Sequence, residues 1–169
     1  MNVALYGFMG VGKSTVGKIL SERLGYGFVD MDEMIERRVG MKIKDIFALE
    51  GENGFRFLEK KVVREVAGKD RHVIACGGGG ILYPENAEAL SRNSVLVLLT
   101  ASIDEIVERT RGSEERPLLN VDDARAEAEA LLRERMPRYL EAADMVIDTT
   151  GALPTQLAAE IVVALGWST

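Results

Sequence analysis

Residues 3–15 read VALYGFMGVGKST, and this stretch decides the fold. Positions 7–14 match the pattern G-x-x-x-x-G-K-[ST] in full. A short apolar segment precedes the first glycine, and the residues that follow place Val16, Ile19 and Leu20 on one helical face. Glycines allow backbone N–H groups to turn inward around phosphate oxygens, and a helix N-terminus adds positive potential. The stretch therefore predicts a strand, a phosphate-binding loop and a helix, which together form a nucleoside-triphosphate site.

Two side chains of this loop have specific roles in phosphate chemistry. Lys13 can reach the β- and γ-phosphates, and the Ser14 hydroxyl can ligate Mg²⁺. The alternative is a glycine turn that only joins the strand to the helix, with Lys13 solvated. The complete motif in its strand–loop–helix setting argues against that alternative. The residues expected to contact ATP are Gly10, Val11, Gly12, Lys13, Ser14 and Thr15.

Strand-like and helical patterns alternate along the rest of the chain. Short apolar runs predict strands over 3–6, 28–29, 73–76, 95–99 and 145–147. Separate helices are predicted over 44–49 and 52–66, and again over 123–135 and 137–143, with a loop over 112–121. This alternation predicts an α/β fold: a mostly parallel sheet of about five strands with helices on both faces, in three layers. A length of 169 residues fits a single P-loop domain over 1–169.

Composition excludes several classes of protein. Cys76 is the single cysteine and His72 the single histidine, which excludes a disulfide framework and zinc sites built from several thiols or imidazoles. A net charge of −6 argues against a nucleic-acid partner and against an anionic membrane surface. The sequence shows no signal peptide, membrane span or heptad repeat, so a cytoplasmic monomer is the default expectation.

Two aspartates follow the second predicted strand. Asp30 and Asp32 are two residues apart, so both carboxylates can face one cleft. One of them can serve Mg²⁺, through water, because this ion tends to keep part of its hydration shell. The other can orient or deprotonate an acceptor hydroxyl. The alternative is that one of them only caps a helix beginning near Glu33, a role that Asp32 can combine with chemistry.

Four further stretches complete a resemblance to a known family. Residues 51–59 read GENGFRFLE, residues 77–79 read GGG, residues 116–119 read RPLL and residues 135–139 read RMPRY. Together with the phosphate-binding loop and D-x-D, in this order, they resemble the shikimate kinase family over nearly the whole chain. The resemblance implies ATP-dependent phosphorylation of the 3-hydroxyl of shikimate to shikimate 3-phosphate and ADP, in chorismate and aromatic amino-acid biosynthesis. ATP is then the co-substrate and Mg²⁺ the cofactor.

The same resemblance implies roles on the acceptor side of the site. Asp32 would hold the shikimate hydroxyls and act as the base toward the 3-hydroxyl. Arg56 and Arg135 would clamp the shikimate carboxylate, and Gly78 and Gly79 would offer backbone N–H groups. An arginine fork suits a carboxylate because it can bind both oxygens at once.

On the nucleotide side, the resemblance implies that Asp30 supports Mg²⁺ through water beside Ser14. Arg116 would lie in a mobile lid over 112–123 and reach the transferring phosphate, as a catalytic residue together with Lys13 and Asp32. Arg109 would lie over the adenine ring, with Pro154 nearby.

Other interpretations of these residues remain open. Arg56 beside Glu59 can be a surface ion pair, or Glu59 can position one of the arginines. Gly80 extends the three glycines to four, which departs from the family pattern and can loosen the turn on the substrate side. A related kinase acting on gluconate or a nucleoside monophosphate, and a nucleotide-binding module without turnover, are the competing functions.

Overall fold

Five parallel strands form a sheet at the centre of the molecule. A computed structural model describes residues 1–111 and 123–167. The strands lie side by side in the order β2-β3-β1-β4-β5. Their bounds are β1 Asn2–Gly7, β2 Gly27–Asp30, β3 His72–Ala75, β4 Ser94–Thr100 and β5 Met145–Asp148. The predicted α/β class and five-stranded parallel sheet are therefore confirmed.

Helices connect successive strands and cover the sheet. The described helices are α1 Lys13–Leu24, α2 Met31–Val39, α3 Ile43–Ala67, α4 Pro84–Ser91, α5 Ile103–Thr110, α6 Ala124–Ala142 and α7 Pro154–Leu165, with a 3₁₀ turn over Gly80–Leu82. The connection from β1 to β2 and the connection from β3 to β4 run in opposite directions across the sheet. Because such crossovers are right-handed, α1 and α4 lie on opposite faces. Accordingly α1 packs against α7, whereas α4 packs against α3.

The core lies around β1, the central strand, which is buried along its whole length. Leu5 pairs with Ala75 of β3 on one side and with Val97 of β4 on the other. The carboxyl ends of the strands meet at one edge of the sheet, the edge where ligands bind in this architecture. No helix among residues 1–111 and 123–167 is long and apolar enough to cross a membrane.

Two of the helices, α3 and α6, test the helix breaks that the sequence predicts. The break predicted between 49 and 52 is present inside α3, where Gly51 has φ 71° and ψ −179°. An L side chain is strained in that region, so glycine allows the helix axis to change direction there. The break predicted at Pro137 is wrong, since α6 continues through this proline to Ala142. An internal proline costs a helix about 3 kcal/mol, and packing of the turn beyond it, where Tyr139 is fully buried, offsets that cost.

Candidate active site

A cavity of about 330 Å³ lies at the carboxyl ends of β1, β2 and β3. This volume is at the lower end of the range of about 300–1,000 Å³ typical of ligand pockets, which suits a small acceptor. The cavity brings together eight residues that the sequence pointed to: Lys13, Ser14, Asp30, Asp32, Arg56, Gly78, Gly79 and Arg135.

The phosphate-binding loop joins β1 to α1 at the edge of this cavity. Gly12 is the N-cap of α1 and has φ 96° and ψ 22°, a left-handed conformation that glycine adopts without steric cost. The Lys13 ammonium donates to the carbonyls of Gly7 and Phe8, at 3.0 Å from each oxygen. Its positive charge therefore lies over the loop and beside the N-terminus of α1, where phosphate groups are attracted.

Asp30 links the phosphate-binding loop to α2. One carboxylate oxygen accepts from the backbone N–H groups of Asp32 and Glu33 at 3.0 and 3.2 Å, and the other accepts from the Ser14 hydroxyl. The helix therefore begins at Met31 rather than near Glu33, and Asp30 rather than Asp32 caps it. The cap holds Asp30 in place, so it fixes the carboxylate oxygen that meets Ser14.

The chemistry of this pair fits Mg²⁺. A serine hydroxyl and a carboxylate are hard oxygen donors, the type that this ion prefers. Within the described parts of the chain, no cluster of three or more His, Cys, Asp or Glu residues can hold a metal by itself. Ser14 and Asp30 therefore suit an ion that takes its other ligands from phosphate and water.

Asp32 lines the same cavity as Asp30, as the spacing of the two aspartates predicts. Its Oδ1 is 3.1 Å from the position that a Cβ would occupy on Gly77. The carboxylate thus lies at the start of the glycine turn, which we define as residues 77–80.

Arg56 and Glu59 form an ion pair on the cavity wall rather than on the surface. Arg56 Nη1 is 2.8 Å from Glu59 Oε2, and their side chains are 14% and 1% exposed. Burial raises the pKa of Glu59, and the charge of Arg56 opposes that rise. Burial alone would lower the pKa of Arg56, but the Glu59 carboxylate raises it overall. Glu59 therefore holds the arginine in place and keeps it charged.

The glycine turn packs closely against this pair. A Cβ on Gly79 would lie 2.1 Å from Arg56 Nη2, and a Cβ on Gly80 would lie 2.7 Å from the Glu59 carboxylate. The glycines of the turn have no positive φ, so close approach rather than backbone conformation requires them. Gly80, the fourth glycine of the turn, is bound at its carbonyl, which accepts from Asn86 Nδ2 at 3.0 Å.

Arg135 reaches the cavity from α6. Its guanidinium lies 5.8 Å from the centre of the Phe8 ring, and its Nη1 is 3.7 Å from the Cβ position of Gly78. Arg56 on α3 and Arg135 on α6 thus approach neighbouring glycines of the turn, Gly79 and Gly78. Two guanidinium groups from different helices meet around one short backbone segment, an arrangement suited to a carboxylate.

An apolar wall that the sequence did not indicate completes the cavity. Met9, Ile43, Phe47 and Phe55 line it, and the two phenylalanine rings stack with centres 4.5 Å apart. These rings come from opposite sides of the kink at Gly51. Two aromatic residues flanking a glycine within a helical pattern are the only sequence signal for this wall.

Cys76 also lines the cavity and is a buried free thiol. Burial, with Glu59 as the next largest influence, raises its pKa to about 12. The thiol is therefore neutral near pH 7 and not activated as a nucleophile.

On the nucleotide side, Arg109 bridges the phosphate-binding loop and the loop after β5. It donates to the Gly10 carbonyl at 3.1 Å, and to the hydroxyl and carbonyl of Thr149 at 3.2 and 3.3 Å. Glu105 forms an ion pair with Arg109 and also accepts from the Gly151 N–H at 2.7 Å. Pro154 is the first residue of α7, three positions after Gly151.

Most of the predicted lid falls outside the residues that the structure describes. Arg116 and positions 112–122 of the predicted lid lie outside the described residues. Position 123, the end of that predicted lid, is the N-cap of α6. Arg111 and Arg125, outside the cavity, form exposed ion pairs with Glu108 and Asp104.

Comparison with known proteins identifies the family of the chain. The family model described as "Shikimate kinase" matches residues 9–166. A shikimate kinase of Thermodesulfovibrio yellowstonii is 44% identical over 161 residues, which cover 95% of this chain and 92% of the relative. One from Halorhodospira halophila is 45% identical over 163 residues, covering 96% and 92%.

A solved structure also matches over nearly its whole length. Shikimate kinase from Acinetobacter baumannii, in complex with shikimate, superimposes with a TM-score of 0.94 at 38% identity, covering 97% of this chain and 92% of that one. Because the family match spans most of the sequence and the relatives are covered almost completely, the chain belongs to the shikimate kinase family.

Proposed function

We propose how the residues of this cavity carry out the ATP-dependent phosphorylation of shikimate, the activity of this family. ATP binds with its phosphates on the loop before α1, and shikimate binds in the cavity beside it. The observation that carries the proposal is the meeting of Lys13, Asp32, Arg56 and Arg135 around one cavity of about 330 Å³. That cavity offers a triphosphate site and a carboxylate site next to each other.

Shikimate is a carboxylic acid with three hydroxyl groups, and the cavity has a partner for each kind of group. Arg56 and Arg135 bind the carboxylate with charge-assisted hydrogen bonds. Backbone N–H groups of Gly78 and Gly79 contact the same end of the substrate. Asp32 accepts hydrogen bonds from the hydroxyls, and the Phe47–Phe55 wall packs against the apolar part of the ring.

Phosphoryl transfer then proceeds in line between the two sites. The 3-hydroxyl oxygen attacks the γ-phosphorus, the bond from that phosphorus to the β–γ bridging oxygen breaks, and ADP leaves. Asp32 accepts the proton of the 3-hydroxyl. Lys13 stabilises the negative charge that develops on the β- and γ-phosphates.

Other residues support the nucleotide in this proposal. Ser14 and Asp30 would hold Mg²⁺, Asp30 through water, and the ion would supply positive charge that neutralises the β- and γ-phosphates. Arg109 and Pro154 lie on the adenine side, and Arg116 reaches the transferring phosphate from the lid. A lid that excludes water limits wasteful hydrolysis of ATP.

We further propose that the enzyme acts as a cytoplasmic monomer. The sequence shows no heptad repeat that would pair it with a second copy. Cys76 is buried and is the single cysteine of the chain, which suits a reducing compartment.

The function is tested by measuring ADP release with shikimate, gluconate, a nucleoside monophosphate and no acceptor. Shikimate should give far more ADP than the other arms, because the paired arginines and glycine turn fit a compact carboxylate. Asp32→Asn should lower kcat with shikimate by about 10²–10⁴, the usual contribution of a general base, with the KM for ATP little changed. Shikimate giving no more ADP than the blank would refute the function, and an unimpaired Asp32→Asn would refute the base.

A further inference from the structure

Tyr139 lies beneath the cavity and joins α6 to the glycine turn. It is fully buried, and its hydroxyl donates to the Gly78 carbonyl at 2.5 Å. Its own carbonyl accepts from the Tyr6 hydroxyl at 2.6 Å, and the two rings meet edge to face with centres 5.9 Å apart. The hydroxyl of Tyr139 is therefore bound to the turn, whereas its backbone is held by α6 and also contacts β1.

We propose that Tyr139 is a positioning residue for the shikimate carboxylate, because its hydroxyl sets both the direction of the Gly79 N–H and the location of the Arg135 guanidinium. This inference rests on the substrate-binding roles proposed above for Gly79 and Arg135. It adds a residue that does not line the cavity and acts only through groups that do.

The first step of the argument is the planarity of the peptide between Gly78 and Gly79. This peptide is trans and planar, so the Gly78 carbonyl and the Gly79 N–H lie in one plane and point in opposite directions. Fixing the carbonyl on Tyr139 therefore fixes the N–H as well. A run of glycines has unusual backbone freedom, and such a turn needs anchors if its N–H groups are to be aimed. Tyr139 anchors Gly78, and Asn86 anchors Gly80.

The second step is the spacing of Arg135 and Tyr139 on α6. Residues four apart lie one above the other on a helix, so both side chains leave the same face. They meet again at the turn, where the Cβ position of Gly78 is 3.5 Å from the Tyr139 hydroxyl and 3.7 Å from Arg135 Nη1. The guanidinium therefore lies against the hydroxyl that holds the turn.

The third step is a difference between the two arginines. Arg56 is held by the carboxylate of Glu59, which neutralises part of its charge. Arg135 contacts two neutral groups, the Phe8 ring and the Tyr139 hydroxyl, and the Glu59 carboxylate acts on it more weakly than on Arg56. Burial raises the pKa of Tyr139, so the phenol keeps the proton that it donates to Gly78. A neutral partner orients Arg135 without competing with the substrate carboxylate for its charge.

Tyr139→Phe tests the proposal, because it removes the hydroxyl and leaves the ring. We expect the KM for shikimate to rise about tenfold, the size of one weakened hydrogen bond to a charged group, because the Gly79 N–H and the Arg135 guanidinium lose their alignment. The KM for ATP should stay within about twofold. Tyr6→Phe is the matched control, since it removes a hydroxyl-to-carbonyl bond from the same ring pair on the side away from the turn. It should lower the urea midpoint by a similar amount and leave the KM for shikimate unchanged.

A double-mutant cycle with Arg135→Lys identifies the route of the effect. If the hydroxyl acts through Arg135, the two changes together should raise the KM for shikimate by clearly less than the product of their separate effects. Equal losses for ATP and shikimate in Tyr139→Phe, or a KM for shikimate like that of Tyr6→Phe, would overturn the positioning role. An unchanged KM for shikimate in Arg135→Lys would instead show that the proposed carboxylate clamp is wrong.

Discussion

Glu59 is a carboxylate with almost no exposure to solvent, and its ionisation should be visible in the stability of the protein. Its Oε2 pairs with Arg56, whereas its buried Oε1 has no hydrogen-bond partner among the residues that the structure describes. Burial therefore raises its pKa above the ordinary value of 4.5, despite the opposing charge of Arg56. In the unfolded chain the same carboxyl regains water and its ordinary pKa.

From this difference we predict how Glu59→Gln changes the pH dependence of unfolding. Between the unfolded and folded pKa values the folded protein binds more protons, so stability from this group is present below pH 4.5 and is lost as pH rises through the folded pKa. The glutamine variant lacks that loss. The free energy of unfolding of the variant, minus that of the wild type, should therefore increase from pH 4.5 to 7.5 in urea titrations.

Glu52→Gln is the matched control for this prediction. Glu52 is 3.6 Å from the same guanidinium, but its side chain is 66% exposed. Removing it takes away a similar charge without removing a buried carboxylate, so its difference from the wild type should stay flat with pH. A difference for Glu59→Gln that falls with pH would mean that Arg56 outweighs burial and lowers the pKa of Glu59.

Residues that bind through a recurring motif could be predicted from the sequence, and residues that act through packing could not. Lys13 and Ser14 follow from the phosphate-loop pattern, and Asp30 from its spacing after a strand. The sequence left the cap role open between Asp30 and Asp32, because two aspartates this close to a helix start offer it the same chemistry. Tyr139 ends the RMPRY stretch that contributes to the resemblance, but the sequence assigned it no role, since a buried tyrosine on a helix is usual in any core.

At the scale of elements, the kink in α3 shapes the acceptor side of the cavity. The half before Gly51 carries Phe47, and the half after it carries Phe55 and Arg56. A straight helix would place residues 47 and 55 about 12 Å apart along its axis, whereas the rings stack with centres 4.5 Å apart. The stacking of these rings therefore depends on the change of direction at Gly51.

We predict that Gly51→Ala weakens shikimate binding more than ATP binding. A Cβ there would meet no atom within 4 Å, so the cost comes from the backbone, at φ 71° and ψ −179°. Residues forced into such regions cost about 1–3 kcal/mol, and relief of that strain would straighten α3 and separate the two rings. The expected result is a KM for shikimate raised several-fold, an unchanged KM for ATP, and a lower free energy of unfolding in urea.

Gly40→Ala separates this effect from general destabilisation. Gly40 ends α2 with φ 78° and ψ 21°, and a Cβ there also meets no atom within 4 Å. This left-handed position should cost about 1–2 kcal/mol without moving either phenylalanine. If both variants leave the KM for shikimate unchanged, the kink does not shape the acceptor site.

The break at Gly51 and the continuity at Pro137 show where helix boundaries follow from local sequence. Glycine and proline both predict that a helix is interrupted. Of the two positions compared, Gly51 adopts a non-helical conformation, whereas Pro137 lies inside a continuous helix. At Pro137 the helix continues because the next turn carries Tyr139, which is buried against Tyr6 of β1. That tertiary contact joins residues far apart in the chain, so no local pattern contains it.

At the scale of the whole molecule, the site depends on the sheet and both helical layers. The cavity uses the ends of β1, β2 and β3 together with residues from α1, α3 and α6. Strand alternation was enough to predict this sheet, because parallel strands joined by helices leave few other arrangements. The extent of the cooperative unit, a single domain over 1–169, stays a prediction and can be tested through ligand binding.

We predict that shikimate at 100 times its Kd raises the free energy of unfolding by about 2.7 kcal/mol. We also expect this increase to be the same whichever part of the chain reports the unfolding. Trp167, the single tryptophan, packs against Tyr26 with ring centres 5.9 Å apart and does not line the cavity. Its fluorescence reports the contact between the C-terminal end and the segment after α1, whereas far-UV circular dichroism reports the helices. In one cooperative unit both signals should shift to the same higher urea midpoint, with an unchanged m-value.

Arg135→Ala provides the control, because it should remove the shift caused by shikimate and keep the shift caused by a non-hydrolysable ATP analogue. The two ligands then stabilise the same fold through separate groups, an arginine of α6 and the phosphate-binding loop before α1. If shikimate moves the dichroism transition while the Trp167 transition stays in place, the region around α7 unfolds separately from the site. That outcome would contradict a single domain and would confine the stabilisation to the elements that contact the substrate.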